Sequence, residues 1–301
     1  MKKSRNREKR VRITSKDSFW GYVFIAVPML LFLLFTVYPV ISAVITSFMK
    51  YKPKGSVFIG IQNYVNTFKT DLFYKAFKNT IVFSITSVPI SILMSFMISI
   101  MILPFRKKIQ SVYKGIFYLP AVASGVALAF VWKWIFDSMP NGLLNNLVGF
   151  FHIPAQNWLG SRKTAMLSLV IMSVVSGLGQ NIIIYMAAIL NVDPSFYEAA
   201  DVDGARFWDK LRFILWPLVK PTTVFLAITG VINGFQAFQN AYLMTGGGPD
   251  NETTMVGLLI FNRAFKYFEY GEACAQAILL TIVIAIFTIV QFKVNAADVE
   301  Y

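Results

Sequence analysis

Six apolar segments, essentially free of Asp, Glu, Lys and Arg, constrain this chain more than any other feature. A helix needs about 20 apolar residues to cross the hydrocarbon core of a bilayer. Segments of that order lie at 20–48, 79–104, 115–134, 164–190, 222–244 and 273–292. The first is interrupted by Pro28 and Pro39, yet it far exceeds the roughly 7–15 apolar residues of a signal peptide. With 56% hydrophobic residues and a mean hydropathy of +0.59, the chain is too apolar for a soluble domain. The expectation is an all-α polytopic membrane protein of six transmembrane helices.

Six spans put both ends on one side of the membrane. That side carries the basic tail of residues 1–18, the turn with Arg106, Lys107, Lys108 and Lys114, and the polar island at 191–221. Together with Lys293 it holds seventeen of the twenty-eight Lys and Arg residues, the bias expected of a cytoplasmic face. The net charge of +13 therefore follows membrane topology, and nucleic acid is not an expected partner.

The apolar runs exclude more than they permit. Ionisable groups inside a membrane mark proton relays, ion coupling and charged cargo, and these spans have almost none. What they carry instead is uncharged and polar. The fourth holds Ser173, Ser176, Gly177, Gly179, Gln180 and Asn181; the fifth holds Thr229, Gly230, Asn233, Gly234, Gln236, Gln239 and Asn240. On a continuous helix Asn233, Gln236 and Asn240 would share one face. Side-chain amides donate and accept hydrogen bonds, as a hydroxyl-rich neutral solute requires. Taken singly, each residue reads equally as interhelical glue; the cluster reads as a pathway.

Enzyme chemistry has no foothold. The single histidine, His152, excludes His-based metal clusters and any nucleophile–base–acid set, so no catalytic and no metal residues are expected. No Gly-x-x-x-x-Gly-Lys-Ser/Thr loop occurs. Gly246-Gly247-Gly248 reads as an external turn, and the lone Cys274 allows no intrachain disulfide.

Between the fourth and fifth segments runs Asp193-Pro194-Ser195-Phe196-Tyr197-Glu198-Ala199-Ala200-Asp201-Val202-Asp203-Gly204-Ala205-Arg206. Asp193 suits a helix N-cap, Pro194 its first turn and Gly204 a left-handed close. A second short helix from about Ala205 is expected to end near Pro217. By spacing alone, this could be an ordinary amphipathic connector. However, Glu198-Ala199-Ala200, then Gly204, then Ile214 and Pro217 resembles the EAA loop of ABC importer permeases, with Trp216 where that family usually has Leu. Gly60-x-x-Asn63-Tyr64, Asn79-Thr80, Leu119-Pro120, Trp132-x-Trp134, Phe235-Gln236-x-Phe238 and Met244-Thr245-x-Gly247-Gly248-Pro249 resemble its carbohydrate-uptake branch, in particular the MalF-like first permease.

The resemblance implies a type I ABC importer permease (MetI-like) fold, one transmembrane domain over 19–301 with the EAA loop at 191–221. It also implies a sugar-importing complex in a bacterial cell membrane with both termini cytoplasmic. Its partners would be a second, MalG-like permease, an ATPase dimer that uses ATP and Mg, and an extracytoplasmic sugar-binding protein. This chain itself would be no enzyme and bind no cofactor. Coupling to the ATPase would fall to Glu198, Ala199, Ala200, Asp203, Gly204 and Arg206. The substrate pathway would involve Gly179, Gln180, Asn181, Gly230, Asn233, Gly234, Gln236, Ala237 and Asn240. The alternatives are an ABC permease for another solute and a self-sufficient secondary carrier.

Overall fold

The computed structural model describes residues 15–51 and 55–296, so most of the basic tail expected at 1–18 lies outside the described residues. Apart from a two-residue-strand hairpin, the regular structure is helical. The elements are α1 (Ser15–Phe32), α2 (Tyr38–Ser47), β1 (Met49–Lys50), β2 (Val57–Phe58), α3 (Gln62–Lys69), α4 (Asp71–Ile102), α5 (Lys107–Val122), α6 (Gly125–Ile135) and α7 (Leu143–Gly149). After them come α8 (Ala165–Leu190), α9 (Pro194–Val202), α10 (Phe207–Lys210), α11 (Trp216–Phe235), α12 (Gln239–Met244), α13 (Val256–Phe261) and α14 (Tyr270–Ala296). Five helices are long and apolar enough to span a bilayer, six if a bent pair counts as one.

Proline does not end helices here in the way the sequence suggests. Pro39 and Pro217 each follow a single wide π-turn, Leu33–Val37 and Leu211–Leu215. The π-turn bonds Tyr38 N–H to Leu33 O and Trp216 N–H to Leu211 O, five residues back. A widened turn of this kind relieves the clash between a proline ring and the carbonyl four residues earlier. The first span therefore runs unbroken from Trp20 to Ser47, and the fifth begins at Phe207 instead of 222. The short helix expected to stop near Pro217 is instead the beginning of a continuous 29-residue helix ending at Phe235.

Three other boundaries differ. The second long helix starts at Asp71, not 79, because Lys75 and Lys78 ride on turns that project beyond the apolar run. Its 32 residues extend about 48 Å against a hydrocarbon core of about 30 Å. The third expected span, 115–134, is no straight rod: α5 and α6 meet at 102° across Ala123–Ser124. Pro120 weakens the end of α5, and Gly125 lets α6 seat against the Gln239 side chain, where a Cβ would lie 2.8 Å from Nε2. The last span begins at Tyr270 instead of 273.

The core lies where α4, α8 and α5 pack together, with α11 against α4. Leu169, Met172, Ile182 and Met186 of α8 are all but inaccessible, and Phe96, Tyr185 and Val219 form a second cluster toward the far end. In contrast, none of the most apolar window of Trp20–Ser47 is buried.

The motifs at the end of the bundle where α4 begins have structural explanations. Asn63 Nδ2 donates to the carbonyls of Ser47 at 2.8 Å and Met49 at 2.9 Å, occupying acceptors just past the end of α2. Tyr64 Oη bonds Ser47 Oγ at 2.8 Å. The Gly-Gly-Pro turn, with Gly246 and Gly247 at φ of 62° and 95°, is stitched to α4. Asn79 Nδ2 donates to Asn251 O at 2.9 Å and Thr254 O at 3.0 Å, and Val256 N–H donates to Thr80 Oγ1 at 3.0 Å. Lys75 Nζ adds bonds to Asp250 O and Glu252 Oε1 at 2.6 and 2.9 Å.

Candidate functional site: an uncharged cavity and an exposed helical hook

A cavity of about 500 Å³ opens between α4, α8 and α11. Its polar wall consists of Ser87 and Ser91 on α4, Ser173, Gln180 and Asn181 on α8, and Thr229 and Asn233 on α11, with Asn240 from α12. Among the described residues no Asp, Glu, Lys or Arg lines it. Asn181 Nδ2 donates to Ser91 Oγ at 3.1 Å, joining α8 to α4 across the wall. Such a surface presents donors and acceptors without the field of a fixed charge, which suits a neutral hydroxylated solute and offers an ion no counter-charge.

Glycines bring the walls together. A Cβ on Gly230 would sit 2.8 Å from Val88 Cγ1, and one on Gly234 would sit 2.6 Å from Ser84 Oγ. Both positions border the cavity, and both let α11 approach α4.

Of the expected pathway residues, Gln180, Asn181, Gly230, Asn233, Gly234, Ala237 and Asn240 line the cavity. Two do not. Gly179 is buried on the opposite side of α8, against the α5 backbone, where a Cβ would meet Phe117 O at 2.2 Å. Gln236 is exposed and lies beyond the end of α11. The shared face expected for Asn233, Gln236 and Asn240 fails because the helix stops at Phe235 and restarts at Gln239, so Asn240 reaches the cavity from a separate helix. Sequence reasoning passed over the α4 wall. Its signal was the series Ser84, Ser87, Ser91, Ser95 and Ser99, spaced three or four apart and therefore on one helix face.

The second candidate region is the hook at 193–210. Asp193 Oδ1 accepts from Ser195 N–H at 2.9 Å, and that bond holds its carboxyl below the usual carboxylate range. Gly204 has φ of 75°. Ala205 N–H bonds Ala200 O at 2.9 Å and Gly204 N–H bonds Asp201 O at 3.1 Å, the paired bonds of a Schellman close. Arg206 N–H donates to Asp209 Oδ2 at 2.9 Å to start α10, and Lys210 pairs with Asp201 to tie the two helices together. Glu198, Ala199, Asp203, Gly204 and Arg206 are exposed and Ala200 is half-buried. Around them large apolar groups stand free: Phe196 is 53%, Trp208 69% and Val202 89% exposed. The hook is internally braced but externally unfinished. Sequence reasoning had not singled out Val202 or Trp208, since their exposure depends on how the bend turns them.

Among the described residues no cluster of His, Cys, Asp and Glu could hold a metal ion.

Known proteins of similar sequence and fold give these two features a context. Residues 18–299 match the family model of the binding-protein-dependent transport system inner membrane component. The arabinooligosaccharides transport system permease protein AraP of Bacillus subtilis is 30% identical over 282 residues, covering 92% of this chain and 88% of AraP. The probable ABC transporter permease protein YesP of the same organism is 32% identical over 302 residues, covering 97% and 96%. The lactose transport system permease protein LacF of Rhizobium radiobacter is 29% identical over 278 residues, covering 90% and 92%. In fold, the chain superposes with a TM-score of 0.82 on a chain of a bacterial ABC transporter involved in import of the acidic polysaccharide alginate, over 95% and 98% of the two chains at 23% identity. It has the type I ABC importer permease fold and belongs to the family of binding-protein-dependent transport system inner membrane components.

Proposed function

We propose that this chain is the MalF-like membrane subunit of an ATP-driven importer for a neutral carbohydrate, and that the cavity between α4, α8 and α11 is its half of the pathway. The observation that carries this reading is the composition of that wall: hydroxyls, amides and glycines, with no charge. Relatives named for arabinooligosaccharide and lactose transport support the choice of sugar. Gln180, Asn181, Asn233 and Asn240 would bond sugar hydroxyls, with Ser87 and Ser91 completing the α4 side.

The hook would seat in a partner ATPase dimer on the cytoplasmic face of a bacterial membrane, with both termini on that face. Glu198, Ala199, Ala200, Asp203, Gly204 and Arg206 form its contact surface, with Phe196 and Val202 as apolar anchors. ATP and Mg would act on the partner, closing the ATPase dimer and pulling the hook. Because α8 leads into the hook and α11 leads out of it, that pull reaches two cavity walls directly. A second, MalG-like permease supplies the other half of the pathway, and an extracytoplasmic sugar-binding protein delivers cargo.

The test is reconstitution. Proteoliposomes holding this chain with its copurifying subunits should accumulate a neutral oligosaccharide only when ATP and the binding protein are both present. Accumulation by the purified chain alone would identify a secondary carrier instead.

A further inference from the structure

We propose that the apolar groove between α4 and α11 is a binding site for an anionic phospholipid, with an acyl chain lying in the groove and Arg212 holding the phosphate. Two hollows of about 320 and 450 Å³ share Leu93, Phe96 and Trp216 and so form one continuous trough. It runs from Val231 and Ala227, in the half of the span that ends at Phe235, to Trp208 and Arg212 beside the hook. Arg212 and Ala227 are about 22 Å apart along a helix of 1.5 Å rise, well within a hydrocarbon core of about 30 Å.

The lining sets the chemistry of the occupant. It is almost wholly apolar, and among its few polar groups Tyr185 is engaged by Thr223, Oη to Oγ1 at 3.0 Å. A polar solute would lose its hydrogen bonds there; a hydrocarbon chain loses none. Among the described residues Arg212 is the sole charged one in the lining, and it stands at one end. Its guanidinium rests 5.5 Å from the Phe213 ring, and it forms no ion pair among the described residues. Trp208 and Trp216 flank it, and indoles gather where hydrocarbon meets headgroups. An apolar trough ending in an unneutralised cation between two indoles complements an acyl chain ending in a phosphate. Leu93, Met97 and Trp216 are each more than 40% exposed at its rim, so the trough opens sideways toward lipid. A protein helix, about 10–12 Å across with its side chains, would need the rims to part.

Val88 and Ile92 line both this trough and the uncharged cavity. A chain in the trough therefore packs on the outer side of two residues that face the cavity on the inner side. The site is independent of what the cavity carries.

Native mass spectrometry of the full chain, purified in mild detergent with its copurifying subunits, tests the site. Phosphatidylglycerol and phosphatidylcholine of matched chains serve as probes. The wild type should retain phosphatidylglycerol preferentially. Arg212→Gln should reduce that preference about fivefold, the effect of one basic residue at a membrane surface. Arg212→Lys should keep it, and Ala227→Phe, which fills the trough, should lower retention of both lipids. If Arg212→Gln fails to fold, the lysine and phenylalanine variants decide. Equal retention of the two lipids by the wild type, an unchanged preference in folded Arg212→Gln, or retention of neither lipid because a partner subunit covers the trough would each overturn the proposal.

Discussion

The two ends of the α4–α8–α11 bundle are built on opposite principles. At the end where α4 begins, the 245–256 turn spends its hydrogen bonds inward. Thr253 and Thr254 are buried, Asn79 donates to the turn's carbonyls while Thr80 accepts from Val256 N–H, and Arg162 pairs with Asp250 at the surface. At the other end, the hook bonds among the described residues only within itself and turns Phe196, Val202 and Trp208 outward. The first end keeps its shape alone. The second has a shape but lacks the burial that would stabilise it, which is how a surface completed by another protein looks before the partner arrives.

This contrast predicts different consequences of damage at each end. Replacing Asn79 with Leu leaves the buried Thr254 carbonyl without a donor and takes one of two donors from the Asn251 carbonyl, which keeps Thr254 N–H at 3.3 Å. At about 1–3 kcal/mol for an orphaned group, the variant should show the largest loss of thermal stability of those proposed here. Unchanged unfolding would mean that water satisfies the Thr254 carbonyl and that this end is not self-contained.

Gly204→Val at the hook should act the other way. A Cβ there meets nothing within 4 Å, so crowding is not the problem; a φ of 75° is, at about 1–2 kcal/mol for a side chain in the left-handed region. Expression and membrane insertion should be normal while ATP-driven uptake falls to background. Normal uptake would show that the bend need not be stiff.

A smaller effect is expected at Asp193. Its carboxyl is held below the ordinary carboxylate range by the cap bond to Ser195 N–H, so the cap is fully made above the unfolded-state pKa of an aspartate. It is lost only as pH falls through the lowered folded-state value. Uptake by Asp193→Asn, which keeps an accepting oxygen but cannot titrate, should be flatter at the acid end of the profile than the wild type's. Identical acid limbs would remove Asp193 from the account.

The smallest structural change is expected within the cavity. Ser91→Ala removes the acceptor of Asn181 Nδ2, and polar pairs between membrane helices contribute about 0.6 kcal/mol on average. Stability should barely move, whereas the apparent KM for sugar should shift. A shift in stability without a shift in KM would make the pair packing alone.

Much of the hook could be read from the sequence because its signals are local: a capping acid, a proline in the first turn and a glycine at the close all act within a few residues. The apolar spans were visible for the same reason. Most of what escaped was set by distant parts of the chain. Pro217 is a local exception: whether it ends a helix depends on the π-turn Leu211–Leu215 just before it. Just past the 102° bend between α5 and α6, Gly125 packs on Gln239, a neighbour more than a hundred residues away. Gln236 and Gly179 fall outside the cavity lining because one lies past a helix break and the other faces the α5 backbone, neither of which periodicity reveals. The α4 serines were overlooked because their spacing alone reads equally as packing.

The most direct measurement concerns the hook. In a Cys274→Ala background, Glu198→Cys supplies one thiol on its exposed face. The account predicts that this thiol crosslinks to a copurifying ATPase subunit and is shielded from a membrane-impermeant maleimide added to intact cells. Labelling from outside the cell, with no crosslink to an ATPase, would contradict it.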